Sequence, residues 1–282
     1  MGYVWDRTVE TLGERASVIA PIAVLGIFLP AAVLASLQGL GLANAGAKLA
    51  LTVASLLISL LSLWAQLAIT AAAVDTRAGT GAAARTGVRR LLPAIGVFLL
   101  VGLAATIVLL PVVILLAAGG VDAAAMQTGQ VQLARLRPGM VGAASLYGLV
   151  AGIALLFVFA RLTTLTSVVV AERRGAGAIA RAFRLTKGLT WRLVGVLILY
   201  GIVATVATMA VRTVFGTILK LFDGSTGPVT ITGVVTAIAT SAVSTVFSVL
   251  ATVFCARLYV AMTGGAGGAV VGTAVSDQGT PS

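Results

Sequence analysis

Apolar residues in this chain come in long uninterrupted runs, and polar residues gather in short clusters between them. Six runs reach the length of a membrane span, at about 17–37, 49–74, 91–118, 141–171, 193–211 and 228–256. A hydrocarbon core of about 30 Å calls for about 20 helical residues, and no run contains Asp or Glu. Each is apolar on every face rather than along one stripe, the pattern of a helix surrounded by lipid or by other helices. Transmembrane β-strands instead alternate over segments of about ten residues. The pattern predicts an all-α fold, a polytopic membrane helical bundle of about six transmembrane helices.

The flanks divide the chain further. Residues 1–16 place Val4, Trp5, Val9 and Leu12 at helical spacing, which predicts a short amphipathic helix lying in the membrane interface. Acidic groups precede the first run, and Pro21 and Pro30 interrupt it, so it reads as a retained anchor rather than a cleavable signal. The membrane domain is expected over 17–263. The Gly-, Ser- and Thr-rich residues 264–282 are expected to form a disordered C-terminal tail.

Composition agrees with the pattern: 59% of residues are apolar, 10% are charged, and mean hydropathy is +1.11. Soluble domains carry roughly 45–50% and about 25%. The net charge of +11 is placed beside apolar spans, so anionic phospholipid headgroups, not nucleic acid, are the expected counter-charge. With six spans, one side of the membrane holds Arg7, Arg15, Arg77, Arg85, Arg89, Arg90, Arg173, Arg174, Arg181, Arg184, Lys187, Arg192 and Arg257. The other holds only Lys48, Arg135, Arg137, Arg212 and Lys220. The positive-inside rule then puts both termini in the cytoplasm, and the Ala/Gly/Val-rich composition suggests a bacterial inner membrane.

An internal repeat underlies the two main basic loops. Residues 77–85 (RAGTGAAAR) align with 173–181 (RRGAGAIAR), and 95–106 align with 194–205 through Gly96/Gly195, Gly102/Gly201 and Thr106/Thr205. The repeated unit is helix–basic loop–helix. Both copies have the same orientation, so this is a parallel repeat, unlike the inverted repeats of many secondary transporters.

Candidate binding residues concentrate in and around the second basic loop. Ala178, Ile179, Ala182 and Phe183 form an apolar helical stripe, while Arg181, Arg184 and Lys187 lie on other faces. Trp191 and Arg192 sit where an interfacial anchor opens the fifth span. This loop either holds anionic lipid or a protein partner, or simply controls topology through its charge. Arg161 lies inside the fourth run with no acid in any span to pair with it. Three roles are open to it: snorkelling to the interface, bonding backbone carbonyls, or holding a headgroup from within the bundle. Arg257 reads as an ordinary interfacial anchor. In the sixth run Thr232, Thr236, Thr240, Ser244, Ser248 and Thr252 recur every fourth residue. Such a ridge suits close helix crossing, with a polar conduction path as the sharper alternative. Pro111 is expected to kink the third span.

Absences narrow the chemistry. The chain has no histidine, and its single cysteine, Cys255, cannot form an intrachain disulfide. Histidine-ligated metals and histidine-based nucleophile activation are excluded. No span carries an acidic proton relay. The expectation is therefore a non-enzyme without cofactors or metals.

The stretch 170–196, VAERRGAGAIARAFRLTKGLTWRLVGV, resembles the membrane domain associated with glycerophosphoryl diester phosphodiesterases. Glu172, Ala180, Arg181, Leu185, Thr186, Gly188, Trp191 and Arg192 match that pattern. The resemblance implies the membrane part alone, without the separate catalytic barrel. It points to a lipid- or partner-engaging membrane domain with Arg161, Glu172, Arg181, Arg184, Lys187, Trp191 and Arg192 as candidate contacts. The alternative is a small-solute or lipid transporter.

Overall fold

The structure, a computed structural model, describes residues 2–43, 45–75, 79–120, 137–162, 190–220 and 230–275. No strand occurs among the described residues. The helices are α1 (Gly2–Glu14), α2 (Ala16–Ala23), a π-helical segment (Val24–Phe28), α3 (Leu29–Ala43), α4 (Ala45–Val74), α5 (Thr80–Ala118), α6 (Pro138–Leu162), α7 (Thr190–Lys220) and α8 (Ile231–Val275). Six stretches are long and apolar enough to cross a membrane: Ala16–Gln38, Gly46–Val74, Thr80–Ala118, Pro138–Ala160, Leu193–Leu219 and Ile231–Thr263. The chain is a multi-pass helical membrane protein, with the six-span all-α architecture that the apolar runs predict.

Boundaries differ from the apolar runs in two places. The helix of the third span begins at Thr80, ahead of the apolar run that starts near 91, because a stripe of small residues carries the helix through its basic stretch. Ala83 and Gly87 are buried against α4, while Arg85 and Arg89 stay exposed on other faces. The last helix continues past 263 to Val275, where alanine and valine alternate with the glycines of the expected tail.

Among the described residues packing is densest at one end of the bundle. In α4 every residue from Leu67 to Ala73 is buried, whereas Leu49, Leu56 and Leu57 nearer its start are exposed. The buried parts of α2, of the first half of α5, of the ends of α6 and α8 and of the start of α7 gather at this same end. Three apolar clusters form there, and α8 contributes to all of them through Val249, Val253, Ala256, Leu258 and Tyr259. The first cluster is built largely from alanine, with Ala65, Ala68, Ala72, Ala73, Ala83 and Ala256 all fully buried. In lipid the hydrophobic effect does not drive helices together, so association depends on close van der Waals approach between small residues. Toward the opposite end Leu99, Leu103, Ile107, Val206 and Met209 are exposed, as expected of surfaces that lipid tails cover.

Two glycines show how close the helices come. A Cβ on Gly26, in the π-helical segment, would lie 2.5 Å from Ala65 Cβ. A Cβ on Gly87 would lie 3.1 Å from the Trp64 carbonyl oxygen. Trp64 is fixed between them, its indole N–H donating to the Ala84 carbonyl at 3.2 Å. Pro30 has no N–H to give to the carbonyl four residues back, that of Gly26, and Ser62 Oγ of α4 lies 3.5 Å from that oxygen. α5 is helical through both Pro93 and Pro111. One turn before Pro111, the Val108 carbonyl accepts the Tyr147 hydroxyl of α6 at 3.0 Å.

Candidate functional site

The end of the bundle that carries α1 presents aromatic and basic side chains outward. α1 docks with Val4, Thr8 and Thr11 buried and leaves Tyr3, Trp5 and Val9 exposed. The packed face is thus partly polar. It tolerates burial because each threonine hydroxyl returns a hydrogen bond within the helix, Thr8 to the Val4 carbonyl at 2.7 Å and Thr11 to the Arg7 carbonyl at 2.6 Å. Val4 packs with Ala160 of α6, Leu193 and Val194 of α7 and Leu258 of α8. Arg7 lies over the Tyr3 ring and pairs with Glu10 at 2.6 Å. Hydrogen bonding to Tyr3 and then to Glu10 raises its pKa above the ordinary arginine value.

Of the seven candidate contacts Arg161, Glu172, Arg181, Arg184, Lys187, Trp191 and Arg192, Trp191 is the one whose side chain the structure describes. It opens α7, remains 77% exposed, and meets Phe157 of α6 edge-on with ring centroids 5.0 Å apart. Arg161 and Arg192 are placed by backbone alone. Arg161 follows directly on the described fourth span, which closes at Ala160, and Arg192 lies in the first turn of α7. Glu172, Arg181, Arg184 and Lys187 lie outside the described residues, as does the 173–181 copy of the repeated loop. The second repeat block is described in both copies. Ala94 and Leu193, which occupy equivalent positions just ahead of it, are both fully buried. Arg257, read from sequence as an interfacial anchor, donates from Nε to Thr11 Oγ1 at 2.6 Å.

The opposite end holds a feature that no single residue signals. A cleft of about 860 Å³ opens between α3, α7 and the start of α8. Ala35 and Gln38 line it from α3, Arg212, Thr213, Gly216 and Thr217 from α7, and Thr232, Thr236, Thr240 and Ser241 from α8. A second, more open groove of about 400 Å³ adjoins it between α7 and α8, sharing Arg212 and adding Thr205, Thr208, Met209, Ser244 and Phe247. The four-residue hydroxyl ridge is therefore split. Thr232, Thr236, Thr240 and Ser244 belong to the walls of these spaces, the first two with their hydroxyl oxygens buried, while the half-buried Thr252 donates to the Ser248 carbonyl at 2.8 Å. Thr236 Oγ1 is buried with no hydrogen-bond partner among the described residues. The cue in the sequence is a second stripe on α7, Thr205, Thr208, Arg212 and Gly216, at spacings of three and four. Two facing stripes, one of them holding a cation, differ from a single packing ridge.

Among the described residues no group of His, Cys, Asp or Glu is arranged to hold a metal ion. No family model matches this chain, and neither a curated protein nor a solved structure matches it.

Proposed function

We propose that the protein is a non-enzymatic membrane domain of a bacterial inner membrane, with both termini in the cytoplasm, that engages anionic phospholipid headgroups at its α1-bearing end. The resemblance of 170–196 to the glycerophosphoryl diester phosphodiesterase membrane domain is compatible with such a role. The observation that carries the reading is the shared placement of arginines and interfacial aromatics. Arg7, Arg85 and Arg89 are exposed at the end where Tyr3, Trp5 and Trp191 are also exposed. The sequence between 163 and 189 holds Arg173, Arg174, Arg181, Arg184 and Lys187, which the positive-inside expectation assigns to the same side. Tryptophan and tyrosine favour the headgroup level, and each arginine or lysine near an anionic leaflet contributes about 1 kcal/mol. A protein partner can use the same surface.

The test is co-purification. Changing Arg85, Arg89, Arg181, Arg184 and Lys187 to glutamine is expected to reduce the anionic phospholipid that remains with the purified protein. Unchanged lipid and unchanged partner capture, with topology preserved, would contradict the reading.

A second reading, a small-solute or lipid transporter, is favoured by one observation, the polar cleft between α3, α7 and α8. Uptake or flip of a labelled solute or lipid in reconstituted vesicles tests it.

A further inference from the structure

We infer that the cleft between α3, α7 and α8 is a binding site for a ligand carrying an anionic phosphate group, with Arg212 as its counter-charge. The site lies at the other end of the bundle from the arginine-rich surface and depends neither on that reading nor on transport.

The argument begins with Arg212 itself. It stands seven residues before Leu219, the end of the fifth span, which is roughly 10 Å along a helix. Arg212 is exposed and follows directly on the apolar run 193–211, a level at which water, polar groups or an anion can surround its charge. Hydroxyls from two helices and the Gln38 amide from a third provide that surrounding. No carboxylate is among the described residues that line either cavity. An arriving oxyanion therefore meets the Arg212 guanidinium in a wall that also carries hydroxyls, of which those of Thr208 and Thr240 already donate to the Ala204 and Thr236 carbonyls. Charge-assisted hydrogen bonds of this kind are the strong ones, and arginine's planar fork suits phosphate oxygens. They also gain strength in surroundings less polar than bulk water.

The shape of the space agrees. About 860 Å³ falls within the roughly 300–1,000 Å³ typical of small-ligand sites. The adjoining groove is more open and more apolar, with the exposed Met209 and with Ala204 and Phe247 in its wall. Near its inner limit the Tyr200 hydroxyl donates to the Phe247 carbonyl, and the two rings meet edge to face with centroids 5.7 Å apart. The polar passage ends there, ahead of the packed core around Leu193 and Leu258. A ligand with a phosphate at Arg212 and an apolar portion directed toward Met209 fits both parts. A lipid headgroup and a free phosphate group share this chemistry.

The experiment uses the full chain purified in a zwitterionic detergent. One arm adds phosphatidylglycerol or phosphatidylcholine and reads retained lipid by native mass spectrometry. The other adds inorganic phosphate and reads binding by calorimetry. Two variants are compared with the parent protein. Arg212→Gln removes the charge. Gly216→Leu places an apolar side chain in the wall of the cleft beside Arg212, and because an added Cβ at Gly216 meets nothing within 4 Å, it is expected to fold. Selective retention of phosphatidylglycerol, weakened roughly ten- to a hundredfold by Arg212→Gln and also by Gly216→Leu, supports a lipid headgroup as the source. Phosphate binding weakened by both variants, without lipid selectivity, supports a soluble source. If the parent protein binds neither probe, or if folded Gly216→Leu and Arg212→Gln proteins both bind like the parent, the inference is overturned.

Discussion

Arg257 Nε donates to Thr11 Oγ1 at 2.6 Å, joining the last span to the first helix across nearly the whole length of the chain. The same hydroxyl donates to the Arg7 carbonyl at 2.6 Å, so one oxygen serves as acceptor to the bundle and donor within α1. α1 is thereby held against α8 by a charged hydrogen bond as well as by Val4 and its apolar neighbours.

Thr11→Val removes that acceptor and leaves a partly buried guanidinium short of one partner. A loss of about 1–3 kcal/mol is expected, read as a lower thermal midpoint in detergent and faster amide exchange over residues 2–14. Thr11→Ser keeps the hydroxyl and is expected to restore both. Equal behaviour of the valine and serine variants would show that the bond adds nothing.

The approach of Gly26 to Ala65 gives a second prediction. A methyl at Gly26 meets Ala65 Cβ at 2.5 Å, so Gly26→Ala must push apart the π-helical segment and α4, a strain of about 1–3 kcal/mol. Ala65→Gly is expected to relieve it in the double variant, and a double-mutant cycle of thermal midpoints measures the coupling. Additive effects would mean that the two helices do not meet there.

Trp64 offers a third. Trp64→Phe keeps a ring between α4 and α5 but leaves the Ala84 carbonyl without the indole N–H. The expected cost is about 1 kcal/mol, together with loss of the fluorescence component that is shielded from aqueous quenchers. Gly87→Leu, facing the Trp64 carbonyl at 3.1 Å, is expected to cost more, because backbone is less able than a side chain to yield.

Arg7 illustrates a small effect with a definite sign. Its pKa is raised in the folded protein, so whatever it adds to stability is present below the ordinary arginine value and is lost only as pH rises past the raised one. The side chain is exposed, where ion pairs contribute little. Arg7→Gln is expected to leave the thermal midpoint unchanged at every pH from mildly acidic to mildly alkaline.

The number and type of the spans were legible because twenty consecutive apolar residues have few alternatives to a membrane helix. The start of α5 was not, since hydropathy falls at Arg85, Arg89 and Arg90 while the helix continues on the buried stripe of Ala83 and Gly87. The face by which α1 docks on the bundle was not legible from the apolar positions alone. Threonines that bond back to their own helix pack as small apolar groups, whereas Trp5 and Val9 remain outward. The hydroxyl ridge of α8 fits either a packed crossing or a cleft, and only the separation of α3 and α7 from it decides. Sequence gives the spacing along one helix and not the gap between two. Within the second basic loop, Glu172, Arg181, Arg184 and Lys187 remain sequence expectations because they lie outside the described residues.

The central claim is a six-span bundle with its densely packed, α1-bearing end in the cytoplasm. Single-cysteine labelling in intact cells tests it most directly, with Cys255 first changed to alanine. Gly81 at the start of α5 and Gly139 at the start of α6 are both exposed, with nothing within 4 Å of an added Cβ. A membrane-impermeant maleimide is expected to label Gly139→Cys in intact cells, and Gly81→Cys only after the membrane is opened. Labelling of Gly81→Cys from outside, or equal labelling of both positions, would contradict the account.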